Sequence, residues 1–567
     1  MQTLATNDYI VFFLYFIIIV GYGLWIYNRK KKAQTSSNDY FLAEGSLTWW
    51  AIGASLIASN ISAEQFIGMS GSGFKMGLAI ATYEWMAALT LVLVAVFFMP
   101  VYLKNKIFTM PQYLNKRYNS NVAMIMAVFW LLLYVLVNLT SILYLGALAI
   151  SSISGLNITL CMIFLAFFAV MITLGGMKVI GYTDVIQVFF LILGGLITTY
   201  LALNLVATEF GSEGVLNGFN LMIEKANDHF HMILNQGDMM IPDGKGGTED
   251  AYQKLPGLAV IIGAMWIANL GYWGCNQYIT QRALGADLKT ARGGILFAAF
   301  LKLLMPIIVV LPGIAAFVLY QNGHFQTEML QDVSVNPDRA YPILLNLLPV
   351  GLKGLSFAAL TAAVVASLAG KANSIATIFT LDVYKEKLNT QATEKKLVNV
   401  GKLTIIIAMI IAVVVAPFLG IDKKGGFQYI QEYTGFVSPG VFAMFILGFF
   451  WKKTTSNAAL FATIGGFILS IIFKFMPAFM DLSFLNPMGF AVPNADGVYE
   501  IPFIDRMGFV FLICVIGMYF ISMYETKKGV QTNGLEVDKT MFKMSPSFTV
   551  GALLIISVLA ALYTVFW

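Results

Sequence analysis

Ser59 to Gly73 reads SNISAEQFIGMSGSG, and the reading of this stretch decides the fold. It lies in an apolar run spanning roughly 46 to 73, yet it sets Asn60, Glu64 and Gln65 among Ser and Gly. Strongly polar groups at membrane depth are costly and persist where they have a task. Small residues that interrupt a span free backbone carbonyls, and such backbone is tolerated only where it lines a cavity or binds an ion. A broken helix is therefore expected here. Close helix packing through small residues is the plainer alternative, but packing does not require Glu64.

The same test picks out three further segments. TYEWM contributes Tyr83 and Glu84, ANLGYWGCNQY (Ala268 to Tyr278) brings Asn269, Tyr272 and Trp273 around glycines, and FQYIQEYTG (Phe427 to Gly435) brings Gln428, Gln431 and Glu432. Amides and carboxylates pair with hydroxyls, while a flat ring covers the apolar face of a pyranose. The mixture points to a neutral, polyhydroxylated solute, although Tyr272 and Trp273 alone are equally compatible with core packing.

Composition places these clusters in a membrane protein: of 567 residues, 58% are apolar and only 11% charged. Long apolar runs such as Ile10 to Tyr27, Ala123 to Ala149 and Leu403 to Leu419 recur along the chain, and many reach the roughly 20 residues needed to cross a bilayer as helix. About 14 spans are expected, all helical, because barrel strands would be shorter and would alternate in polarity. Cys161, Cys275 and Cys514 fall inside apolar runs and read as small core residues. The net charge of +5 is spread over short connections rather than along one face, which argues topology and not nucleic acid. The first span lacks a basic lead and a cleavage site, so it reads as a retained helix.

Arg29, Lys30, Lys31 and Lys32 end the first span with nothing basic before it, which puts the N-terminus outside. Counting on, Lys104, Lys106, Lys116, Arg117, Lys178, Arg282, Lys289, Arg292, Lys452, Lys453, Lys527 and Lys528 fall inside. Lys423 and Lys424 are exceptions, and an even span number puts Trp567 outside too. Residues 1–45 then form an extra first helix and a cytoplasmic loop. Residues 46–206 and 257–453 form two five-span sets, each opened by a Gly-interrupted span, which is the pattern of an inverted-repeat transporter. Residues 207–256 form an outer loop carrying His229 and His231, and 454–567 supply peripheral helices. The ninth span, read as 341 to 381, is too long for a simple crossing and offers Ser367 as an oxygen ligand beside small residues. No P-loop accompanies these spans, so work must come from an ion gradient.

NDYFLAEGSLTWWAIGASLIASNISAEQFIGMSGSG, YTDVIQVFF, FAAFLK, FTLDVYKE and FQYIQEYTGFVSPG closely resemble the sodium/solute symporter family, and within it the sodium-coupled sugar carriers. The resemblance implies a LeuT-like core of five plus five helices working by alternating access in a bacterial cytoplasmic membrane, with sodium co-transported and no obligatory protein partner. It implies sugar contacts from Asn60, Glu64, Gln65, Glu84, Asn269, Lys302 and Gln431, with Tyr272 stacking beneath the ring as inner gate and Trp273 behind it. Met69, Tyr83 and Phe427 would close above. Sodium would be held by carbonyls of Ala58, Ile61 and Ala363 and the Ser367 hydroxyl, with Asp184 on the exit route.

Departures from the family pattern bear on coupling and specificity. Ala366 stands where a second Ser ligand is usual, Ala87 replaces a sugar-contacting Ser, and Gly271 replaces a Tyr. Ala369 and Gly370 give no hydroxyl for a second ion, which favours one sodium per hexose, galactose or glucose. Lys371 has no evident place: it is expected either to face an aqueous vestibule or to pair with Asp184 as a substitute cation. Other neutral polyols such as inositol or a glycoside, and a sugar sensor on the same fold, remain rival readings. A membrane enzyme does not fit, because the carboxylates are dispersed over many spans.

Overall fold

The computed structural model describes residues 4–30, 47–243, 247–331, 334–419 and 426–567. Lys31, Lys32, Lys423, Lys424, most of the expected first cytoplasmic loop and the side chains of Arg29, Lys30 and Lys178 lie outside what is described. Ten described helices are long and apolar enough to cross a membrane, and two bent pairs raise that to twelve, against the fourteen expected. The difference has identifiable sources. Residues 64–104 form one continuous apolar stretch, the half-helix Trp49–Asn60 is too short to qualify alone, and Ile158–Thr173 has 16 residues.

Helix Trp49–Asn60 ends at Ile61, whose extended backbone (φ −79, ψ 110) breaks the span. The chain restarts through a capping box. The Glu64 N–H donates to Ser62 Oγ at 3.2 Å, and the Ser62 N–H donates to Gln65 Oε1 at 3.0 Å. One π-helical turn, Glu64–Met69, leads into Ser70–Met76. Glycine is required along this half by close approach: a Cβ on Gly68 would lie 2.7 Å from the Phe427 nitrogen, and one on Gly313 would lie 2.1 Å from the Ser70 carbonyl oxygen. Break and close packing thus coexist, the first at Ile61 to Ser62 and the second among the glycines beyond.

The span that opens the second five-span set, the seventh in order, is interrupted twice. Ala251–Ile262 and Met265–Cys275 meet at 74°, and extended backbone at Asn276 (φ −103, ψ 125) separates Met265–Cys275 from Gln277–Leu284. A further bend of 52° joins Gly426–Gly435 to Ser438–Phe450. The expected ninth span is two elements, a short helix Ala340–Leu345 and a long one beginning at Leu352, so its apparent excess of length belongs to the connection. The Asp8 carboxylate, on helix Thr6–Lys30, accepts from the N–H groups of Gly351 (2.7 Å) and Gly354 (3.0 Å) and so caps that long helix from outside.

Leu288–Gln321 packs against both halves of the broken second span and against Thr82–Leu93, and Leu352–Thr377 packs against Met177–Glu209. Burial separates core from periphery: the most apolar window of Leu352–Leu388 is 89% buried, whereas that of Pro546–Val565 is 22% buried. The remaining apolar surface faces outward, as lipid-facing helices require. The connections are not wholly irregular, because they carry short hairpins at Met240–Pro242 with Thr248–Asp250 and at Val492–Pro493 with Tyr499–Glu500. These two connections touch, with the Tyr252 hydroxyl donating to the Gly489 carbonyl at 3.0 Å.

Candidate functional site

The capping box fixes which side chains face inward at the break. Gln65 spends its carbonyl oxygen on Ser62, so only its NH₂ remains for a ligand. Around it, Asn60, Glu64, Gln65, Glu84, Asn269, Tyr272, Lys302 and Gln431 line a single cavity between the broken second span, Thr82–Leu93, Met265–Cys275, Leu288–Gln321 and Gly426–Gly435. All eight residues singled out in the sequence for solute contact are brought together.

Their mutual bonds set the electrostatics. Lys302 Nζ donates to Glu84 Oε2 and to Asn60 Oδ1. Asn60 Nδ2 donates to the Tyr272 hydroxyl at 3.0 Å, and Gln431 Nε2 donates to Glu64 Oε1 at 3.2 Å. One ammonium is matched by a carboxylate and the second carboxylate is hydrogen-bonded, so donors and acceptors alternate around the wall. Such a wall suits hydroxyl groups, which donate and accept at once. Tyr272 meets Trp273 edge-to-face with ring centres 5.1 Å apart, and Lys302 lies 5.1 Å from the Trp273 ring. On the other side Tyr83 and Phe427 form a second edge-to-face pair at 4.9 Å. The Tyr83 hydroxyl is buried with no hydrogen-bond partner among the described residues.

Several expectations are corrected. Met69 is buried one turn beyond Glu64 and Gln65 on the same face, next to the cavity rather than among the residues that line it. Of Gln428, Gln431 and Glu432, only Gln431 reaches it: Gln428 and Glu432, four residues apart, share a face that lines a neighbouring cavity, where Glu432 meets Lys474 at 2.7 Å and Arg506 at 3.2 Å. His229, in the expected outer loop, is buried. It stacks on Phe317 at 3.9 Å, with Nε2 3.2 Å from the Phe74 carbonyl oxygen.

The expected ion ligands lie on two helices that pack together beside the break, Trp49–Asn60 with its end at Ile61 and Leu352–Thr377. Ala58, Ile61, Ala363, Ala366 and Ser367 are all at most 2% exposed, and Ser367 Oγ donates to the Ser59 carbonyl at 3.1 Å. A hydroxyl against the carbonyl end of a half-helix is a donor set that fits a hard monovalent cation. Ala366 contributes no side-chain oxygen to it. Asp184 lies deeper, accepting from Ser55 Oγ at 2.5 Å, and Ser55 Oγ in turn accepts from Arg282 Nε at 2.9 Å. The expected Lys371–Asp184 pair is not formed, and Lys371 does not face water: it is 1% exposed and directed at Ser367. Arg282, counted among inner-loop charges from sequence, is buried at 2% exposure and takes the place beside Asp184. Its signal was proximity to the glycine-interrupted ANLGYWGCNQY, beyond which a further helix, Gln277–Leu284, carries it.

Paired broken helices around a polar cavity, with the Ser367 hydroxyl against the carbonyl end of one of them, define an ion-coupled secondary transporter. The sequence matches the Sodium:solute symporter family over residues 40–466, and the chain belongs to that family. It is 46% identical to a sodium/glucose cotransporter of Vibrio parahaemolyticus, covering 100% of this chain and 99% of that protein. It is 33% identical to the human sodium/myo-inositol cotransporter 2, covering 83% of this chain and 70% of that one. A Na+-coupled sialic acid symporter solved in a substrate-bound outward-open state superposes with a TM-score of 0.73 at 21% identity, over 92% of this chain and 98% of that one, and establishes the LeuT-type fold. The protein is a multi-pass membrane transporter that couples solute movement to sodium, and not an enzyme.

Proposed function

We propose that the chain carries a neutral hexose, galactose or glucose, into the cell with one sodium ion by alternating access. The observation that supports this reading most is the cavity wall: amide, carboxylate and phenol groups alternate there, and its one ammonium is matched by Glu84. Sugar hydroxyls meet Asn60, Glu64, Gln65, Glu84, Asn269, Lys302 and Gln431, while Tyr272 lies beneath the ring with Trp273 behind it. Met69, Tyr83 and Phe427 form the outer gate. Sodium enters among the carbonyls of Ala58, Ile61 and Ala363 and the Ser367 hydroxyl, and leaves past Asp184. Sodium favours the outward-facing state and orders the break at Ile61; closure and inward release follow the difference in affinity between states.

Ala369 and Gly370 offer no hydroxyl for a second ion, which supports a stoichiometry of one. A tenfold sodium gradient (about 1.4 kcal/mol) with 100 mV (about 2.3 kcal/mol) would let one ion concentrate sugar roughly 500-fold. Residues 46–206 and 257–453 act as the two repeats, with both termini outside. Contact between the C-terminus and the outer loop supports that side, with the Met232 N–H donating to the Phe566 carbonyl at 2.7 Å.

Identity to a myo-inositol carrier favours a second reading, in which the solute is another neutral polyol. Competition against bound labelled galactose in sodium, using glucose, myo-inositol and mannitol, separates the two. Displacement by glucose in the wild type, and loss of galactose binding in Gln65→Ala, support the hexose reading. Displacement by myo-inositol alone overturns it.

A further inference from the structure

Lys371 is a buried cation to which the transport cycle above gives no task. It sits on helix Leu352–Thr377, one turn beyond Ser367, and is 1% exposed. Its Nζ donates to Ser367 Oγ at 3.4 Å and stands 4.4 Å from the centre of the Tyr278 ring. Among the described residues no carboxylate lies within 4.0 Å of it; Glu64 and Arg282 act on it only from farther away. Asp184 is engaged with Ser55 instead. Ser367 Oγ points at the Ser59 carbonyl, at the end of half-helix Trp49–Asn60, where the helix dipole is negative. The Ser367 hydroxyl, itself bonded to a carbonyl-bearing helix end, a ring face and, from farther off, the Glu64 carboxylate are what compensate this ammonium, and the hydroxyl and helix end are also what a sodium ion would use.

We propose that Lys371 is a tethered cation that holds the sodium site when sodium is absent, so that sodium binds by displacing the ammonium from Ser367. The inference rests on the reading of Ser367 as a sodium ligand. The absence of a hydroxyl at Ala366 accords with it, because a site already filled by an ammonium on the neighbouring turn needs fewer oxygens of its own. Sodium affinity is then set by an exchange: the ion must outcompete a cation fixed to the chain, and when sodium leaves the carbonyl end is not left bare.

The test is equilibrium binding of radioactive sodium to the purified full-length protein in detergent at one pH, without transport. Lys371→Met removes the charge and keeps the volume, and Lys371→Gln keeps a donor for Ser367, so one serves if the other fails to fold. Sodium half-saturation should fall by about tenfold or more in either variant, since a competitor has been removed. Unchanged or weaker sodium binding in the folded variant overturns the proposal. Ser367→Ala separates the two levels: if it leaves wild-type sodium binding unaltered, the ion-site reading falls and the tethered cation with it. Sensitivity to Ser367→Ala with no effect of Lys371→Met overturns the tethered cation alone.

Discussion

Lys302 and Glu84 are 1% and 3% exposed and bonded to each other inside the solute cavity. A buried pair of this kind adds little net stability, but removing one partner strands the other charge at a cost of about 3–5 kcal/mol. Glu84→Gln should therefore lower the melting temperature in detergent sharply, and the double variant Glu84→Gln with Lys302→Gln should recover most of the loss. Equal melting of the single and double variants would show that the charges are compensated elsewhere. At this scale most of the cavity was legible, because the bilayer penalises polar residues and Asn60, Glu64, Gln65, Glu84, Asn269 and Gln431 stood out against apolar neighbours, whereas Lys302 came only from the family resemblance. Arg282 and Lys371 were misread for the same reason. A cation near a span end looks like a loop charge or a snorkelling one, and only the fold shows that Ser55 and Ser367 wait for them.

The elements most exposed to single substitutions are the ends of broken helices. Asp8 closes the start of the long helix at Leu352 through the Gly351 and Gly354 N–H groups, so Asp8→Ala should cost about 1 kcal/mol and raise hydrogen exchange at those two amides. Exchange confined to the first helix would remove Asp8 from that role. Breaks in the second and seventh spans were readable from glycine and polar interruption. The restart at Ser62 was written in the sequence too, as Ser-x-x-Gln, but that signature has meaning only once a helix is known to end at Asn60. The bend before Ser438 and the turn at 346–351 were not readable, since Pro439 and Gly351 punctuate apolar runs without saying whether the next helix continues the same crossing.

Across the whole molecule, the connection before the ninth span reaches over the cavity's Tyr83–Phe427 side. Asp338, on the short helix Pro337–Arg339, accepts from the Gly426 N–H at 2.8 Å, just ahead of Phe427. Burial pushes its carboxyl from the ordinary 3.8 up to about 6, against opposing pulls from the Gly426 N–H and Lys75. The folded protein then binds this proton more tightly than the unfolded chain, so the group's contribution to stability declines as pH rises through that window. Wild type should lose of order 1 kcal/mol more than Asp338→Asn between pH 5 and 7, read as the difference in their melting shifts. Parallel shifts would mean that Asp338 is ionised without cost.

The most direct test of the account is accumulation of labelled galactose and glucose in proteoliposomes under an inward sodium gradient, and then with potassium in its place. Accumulation above the external concentration in sodium, absent in potassium and abolished in both Gln65→Ala and Ser367→Ala, is the predicted result. Equal uptake in both salts, or none of either hexose in sodium, would contradict it.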